Sequence, residues 1–237
     1  GFTAKSIEIH LSQTFAPRPL LEALRGILPW KQVSLIAEEG VAIAAALAKP
    51  APSLGFLLVE FLKAETQLFL VEGSSVAYAG SIGWGTDRFL KAISDDFAVS
   101  PKVAERILGL YLIRQASPAV VKRIEKLLTA AFDTFGEAIR EFVIRYSVST
   151  IYLFSFTPMP EFVVAPSAFK LDLRRRVRVL PVEDSFLSDT LGFDLSHELC
   201  SGPRLFPQVA ALLELYFLPH DDKINRIARR HARWLIS

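Results

Sequence analysis

Residues 53–93 read SLGFLLVEFLKAETQLFLVEGSSVAYAGSIGWGTDRFLKAI. The apolar runs 55–61 and 66–71 flank a short polar break, Lys63-Ala64-Glu65. A third run, 75–82, follows the turn Glu72-Gly73-Ser74-Ser75 and stops at Gly83-Trp84-Gly85. Each run has strand length, β-branched or aromatic content, and turn formers at its ends. The apolar period then changes: Phe89, Leu90, Ile93 and Phe97 recur at helical spacing. Three consecutive strands that fold back on one another and feed a helix make a βββα unit, around which the rest of the chain is organised.

Composition bounds what this unit can belong to. A chain of 237 residues holds one large or two small domains with a buried core. Hydrophobic residues make up 51% and the mean hydropathy is +0.33, which favours a large partner surface or a place beside a membrane. A homodimer or a partner protein is expected to cover that surface. A net charge of +2 gives no basic field for a nucleic acid, so no nucleic-acid partner is expected. The single cysteine, Cys200, excludes an internal disulfide framework and fits a reducing compartment. The longest apolar candidate, 148–169, is interrupted by Glu161 and by Pro158, Pro160 and Pro166, and does not read as a membrane span. The N-terminus lacks a signal-peptide pattern, and no Met precedes Gly1, so the natural chain is expected to start earlier.

Outside the unit, residues 5–12 (KSIEIHLS) alternate with Ile7, Ile9 and Leu11 on one face, hence a strand. Leu20, Leu21, Leu24, Ile27 and Leu28 give helical spacing after Pro17 and Pro19. A second strand is expected over 32–37, then an alanine-rich helix over 38–48 closed by Lys49-Pro50-Ala51-Pro52. Downstream, Ser100 is expected to cap a helix that has Pro101 at its first position. Pro118 starts a long helix to about 146, with Val121, Ile124, Leu127, Leu128, Ala131, Phe135, Ile139, Phe142 and Val143 at spacings of three and four. A strand over 149–155, a helical piece over 161–170, a basic strand over 174–180 and a closing helix over 207–217 complete the pattern. The linkers are 49–53 and the loop 183–203, long enough to be functional.

The βββα unit resembles the start of the second domain of actin-like ATPases of the FtsA and PilM kind, and the chain is also similar to the cytoplasmic domain of GspL-type secretion proteins. In that superfamily the first hairpin carries an Asp-x-Gly-type loop and a Thr that cradle nucleotide phosphate. In the matching run, residues 60–67, Glu60 stands for the Asp, Leu62 takes the Gly position and Thr66 is kept. A phosphate cradle needs Gly so that backbone N–H groups reach the anion unobstructed, and Leu62 and Phe61 obstruct it. Gly83-Trp84-Gly85 resembles the family's nucleotide-facing Gly-Gly loop; its structural reading is a tight strand-to-helix turn with Trp84 packed nearby. SPKVAERIL (100–108) resembles the family's Ala-Glu-x-x-Lys helix, with Ala104 and Glu105 matching and Leu108 replacing the Lys. AEEGVAIAAAL (37–47) resembles the helix that crosses between the two domains, whereas the Gly-Gly turn against adenosine is absent around Phe156.

The resemblance implies an α/β, actin-like (ribonuclease-H-like) fold, a mixed sheet flanked by helices with the first domain incomplete. Residues 1–52 would end a first subdomain, 53–218 form the second, and 219–237 make a basic amphipathic tail. With Glu60, Leu62, Thr66, Gly83, Gly85 and Glu105 as degenerate positions, it implies no bound cofactor and no catalysis. The role expected is a scaffold on the cytoplasmic side of a membrane-associated assembly machine (pilus, type II secretion or divisome), at the inner face of the membrane. The alternatives are a nucleotide-binding ATPase that switches or polymerises with ATP, and a sugar kinase of the same superfamily. The kinase would need a catalytic Asp and a Gly-rich adenosine turn, and neither is found.

The remaining polar residues offer little chemistry. Asp95-Asp96 and Asp221-Asp222 are adjacent pairs whose carboxylates diverge on a helix. His10, His197, His220 and His231 lack metal-ligand spacing, and His197 with Cys200 supplies only two donors, so no metal is expected. No Gly-x-Ser-x-Gly elbow occurs. Arg174-Arg175-Arg176 with Arg178 reads either as a site for anionic lipid or an acidic partner, or as a charged strand edge. The tail KINRIARRHARWLIS (223–237) carries Lys223, Arg226, Arg229, Arg230 and Arg233 and no acid, with Trp234 near its end. Such a segment fits an anionic membrane surface or the approach to a membrane span, and an apolar stretch of roughly 20 residues is expected after Ser237 if the natural chain continues.

Overall fold

The structure, a computed structural model, describes residues 16–28, 38–49, 55–73, 75–169, 177–182 and 207–211. Its centre is the hairpin already legible in the sequence. β1 (Phe56–Phe61) runs antiparallel to β2 (Thr66–Glu72), and β2 to β3 (Ser75–Ile82). β4 (Thr150–Ser155) lies parallel to β1 on its other side, and β5 (Arg178–Pro181) parallel to β4. The sheet is therefore mixed and five-stranded, in the order β3-β2-β1-β4-β5. Every residue of β1 is buried, as a central strand covered on both faces requires.

The period of two divides β1 between two apolar layers. Leu57, Val59 and Phe61 face α3 (Asp87–Phe97) and the long α5 (Pro118–Arg145), while Phe56 and Leu58 face α2 (Glu39–Ala48). On the first face α5 contributes Ile124, Leu128, Phe132, Phe135, Ile139 and Val143. At about 1.5 Å per residue this helix of 28 residues is about 42 Å long. α4 (Pro101–Leu112) packs beside α3 and buries only Ala104. On the second face α2 buries Ala42, Ile43, Ala44, Ala46 and Leu47 against the sheet, and Ala210 from the helical residues 207–211 joins it. α1 (Arg18–Ile27) forms where the apolar spacing places it but buries none of its residues, with Leu20, Ile27 and Leu28 exposed.

Two local expectations are corrected. Ser100 makes no side-chain cap; its carbonyl accepts from the amides of Val103 and Ala104, both at 2.9 Å, and Pro101 does take the first position. The helical piece expected over 161–170 is instead two 3₁₀ turns, Glu161–Val164 and Pro166–Phe169. Pro166 forces this, because the residue before a proline is driven out of the helical region and Ala165 sits at φ −77°, ψ 129°. Gly136 of α5 lets the second turn approach, since a Cβ there would lie 2.5 Å from the Ala168 carbonyl oxygen.

The strands expected over 5–12 and 32–37, the Arg174-Arg175-Arg176 run, Cys200, the four histidines and the 183–203 loop lie outside the described residues. So does the tail with Lys223, Arg226, Arg229, Arg230, Arg233 and Trp234. Among the described residues no helix is long and apolar enough to cross a membrane.

Candidate functional site

The hairpin turn between β1 and β2 is held by its own backbone and by the loop before α3. Leu62 N–H donates to the Glu65 carbonyl at 2.9 Å. The carbonyls of Leu62 and Lys63 accept from the amides of Thr86 and Asp87, each at 3.0 Å. The Trp84 amide donates to Ile82 and the Arg88 amide to Gly85. The Thr66 hydroxyl donates to the Trp84 carbonyl at 2.6 Å. At the start of α3, the ordinary place for an anion, the amides of Thr86 and Asp87 are thus committed to carbonyls of the hairpin, and those of Arg88 and Phe89 to the carbonyls of Gly85 and Thr86.

Trp84 is the centre of this junction. Its ring is 4% exposed and meets Phe61, Phe89, Phe132 and Phe135 at centroid distances of 5.1–5.8 Å. Its Nε1–H donates to the Ala131 carbonyl at 2.8 Å, so the buried indole leaves no donor unmet. Gly85 is buried where a Cβ would strike the backbone of Lys63 and Ala64, whereas Gly83 is exposed and a Cβ there would meet nothing within 4 Å.

Between the hairpin turn, α3 and the start of α4 lies a cleft of about 790 Å³. Lys63, Gly85, Arg88, Lys91, Lys102 and Glu105 are among its walls. The fold therefore brings together two of the sequence-predicted positions, Gly85 and Glu105, which are 20 residues apart. Leu62, Thr66 and Gly83 do not line it, and neither does Glu60. Asp95 faces this cleft while Asp96 turns to Arg123 at 2.6 Å, so the adjacent carboxylates diverge as expected.

Glu60 and Thr66 stand on opposite faces of the sheet. Thr66 pairs with Phe61 and shares its face, whereas Glu60 pairs with Gln67 and points with Phe56 and Leu58 toward α2. Glu60 is 2% exposed, and its Oε1 has no hydrogen-bond partner, nor has Oε1 of Glu39 in the first turn of α2. Burial first, then the negative charges of Glu39 and Glu38, push the Glu60 carboxyl up to about 8. Burial pushes Glu39 up to about 7. Glu39 is a residue the sequence reading passed over. Its signal was there in the apolar run that follows it, which buries whatever stands at the helix start. Among the described residues no three His, Cys, Asp or Glu side chains gather as a metal site would need.

A second groove, of about 1150 Å³, opens between the end of α4, the start of α5 and the first 3₁₀ turn. Tyr111, Val121, Glu125, Met159 and Phe162 line it, and Arg114 pairs with Glu161 at its wall at 2.5 Å. No motif announced it, because its residues come from two separate stretches, 111–129 and 159–162.

No family model and no curated protein matches the chain. Among solved structures it is similar to a PilM–PilN type IV pilus biogenesis complex, with 19% identity over 83% of this chain and a TM-score of 0.54. It is also similar to the ethanolamine utilization protein EutJ from Carboxydothermus hydrogenoformans, with 14% identity over 65% of this chain and a TM-score of 0.47. Ta0583, an archaeal actin homolog, gives 14% identity over 67% and a TM-score of 0.46. The chain spans 56% of the first of these proteins, 52% of the second and 54% of the third. With its mixed sheet, its flanking helices and this first likeness, the chain has the actin-like ATPase fold.

Proposed function

We propose that this chain is a non-catalytic actin-like scaffold that works through protein contacts on the cytoplasmic side of a membrane-associated assembly machine of the pilus, secretion or division kind. The observation that carries the reading is the bonding at the hairpin. The amides of Thr86 and Asp87 and the hydroxyl of Thr66, which a phosphate would need, instead tie the two loops to each other. Glu60 adds to it by turning away from the cleft toward α2. The likeness to a protein of a pilus biogenesis complex supports the partner class.

A nucleotide-dependent switch is the second reading, favoured by the cleft that joins Lys63, Gly85 and Glu105. Calorimetric titration with Mg-ATP separates the two. No heat of binding is expected up to millimolar ligand, and a micromolar dissociation constant would overturn the scaffold reading.

The basic tail supports the membrane side of the proposal. Each Lys or Arg close to an anionic surface contributes about 1 kcal/mol before salt screening. The chain is expected to sediment with anionic vesicles and a version ending at Asp222 to stay in solution. Equal sedimentation of both removes the tail from the argument.

A further inference from the structure

The face of the sheet away from the cleft buries an acid, Glu60, under a helix turn that carries two more, Glu38 and Glu39. Glu60 lies on the central strand among Phe56, Leu58, Phe69 and Phe154. A Cβ placed on Gly40 would come within 2.6 Å of Glu60 Oε2 and strike the ring of Phe69. The carboxyl group therefore sits directly beneath the first turn of α2. The charges acting on it are Glu39 and Glu38, both at the start of that helix. Its neighbours across the strands, Gln67 on β2 and Phe154 on β4, carry none. Oε1 of Glu60 and Oε1 of Glu39 are both buried and unpartnered. The residues by which α2 holds the sheet (Ala42, Ile43, Ala44, Ala46, Leu47) are apolar. Its docking thus has one part that a proton can change.

We infer that the first turn of α2 is a proton-operated latch on the sheet, closed while the buried Glu60 and the half-buried Glu39 hold their protons and loosened as they leave. The direction follows from linkage. Both carboxyls bind protons more tightly in the docked state than at the ordinary value of 4.5, Glu60 up to about 8 and Glu39 up to about 7. The docked helix keeps more protons than the undocked one across that window, so docking is strongest below it. It weakens as pH rises through the window and levels off above about 8. The two steps belong to the pair rather than to either residue alone. The latch is independent of what occupies the cleft. It would couple proton concentration to the helix that, by resemblance, leads from one subdomain to the next.

Hydrogen exchange of the α2 amides in the full chain, corrected for the intrinsic pH dependence of exchange, tests this between pH 6 and 9. Protection over residues 41–48 is expected to fall about ten-fold between pH 7 and 8 and then to level off. Glu60→Gln, which keeps the shape without the charge, is expected to cut that fall to about two-fold, the part Glu39 carries. Glu39→Gln removes the like charge and is expected to move the levelling-off to lower pH. Amides of α5 between Ile124 and Val143 serve as the reference. An unchanged pH dependence in Glu60→Gln, a flat profile in the natural sequence, or a parallel fall in α5 would each overturn the latch.

Discussion

Trp84→Ala is expected to destabilise the chain by about 3–5 kcal/mol, the range for removing a large aromatic from a packed core. Trp84 is 4% exposed and stands between the β1 ring Phe61, the α3 ring Phe89 and the α5 rings Phe132 and Phe135. Truncation leaves a cavity where three elements meet and leaves the Ala131 carbonyl without the indole donor. Trp84→Phe loses the N–H and part of the ring volume but retains the rest of the aromatic packing, so its cost is expected to be clearly smaller. Thr66→Val removes the hydroxyl that donates to the Trp84 carbonyl and is expected to cost about 1–2 kcal/mol. Urea denaturation followed by circular dichroism measures all of these. A loss under about 1 kcal/mol for Trp84→Ala would contradict the packing described here, since core truncations of this size do not come that cheaply.

The strands and helices of the central unit were legible because the pattern changes where the elements change, from short apolar runs bounded by turn residues in β1–β3 to three-and-four spacing from Phe89 onward. The faces were legible too, though less directly. A turn from Leu62 to Glu65 pairs Phe61 with Thr66, which puts Thr66 on the Phe61 side and Glu60 on the other. Reading Glu60 and Thr66 as one constellation followed the family's spacing and passed over this register. Phe132 was missed from the α5 stripe although it lies four residues after Leu128, and it proves fully buried. The 3₁₀ turns were hidden for a different reason. Apolar content around Phe162 and Val163 looks helical, and the veto sits in the single residue before Pro166. Of the cleft only Gly85 and Glu105 were legible, through the family's spacing, since Lys63, Arg88 and Lys102 are joined only when the helices pack. The placing of the first turn of α2 over Glu60 likewise depends on α2 folding back over the sheet.

The glycines on either side of Trp84 are expected to behave oppositely, and this separates packing from ligand binding as the reason for them. Gly85→Ala would place a methyl group against the carbonyl group of Lys63 and the carbonyl carbon of Ala64. Neither is a side chain that can rotate away, and the Lys63 carbonyl is held by the Asp87 amide at 3.0 Å. The substitution must therefore push the hairpin turn off the start of α3, at a cost of about 3 kcal/mol, the upper part of the overpacking range. Gly83→Ala meets nothing within 4 Å and lies exposed, so its effect should stay within about 0.5 kcal/mol. A loop whose glycines served a ligand would show a second pattern, in which Gly83→Ala keeps stability and loses binding. Thermal denaturation of both variants, with partner capture and Mg-ATP calorimetry on Gly83→Ala, tells these apart. The scaffold reading requires Gly83→Ala to match the natural chain in every measurement. Near-natural stability in Gly85→Ala would mean that the hairpin and the helix are not joined as closely as Thr66, Trp84 and Asp87 hold them.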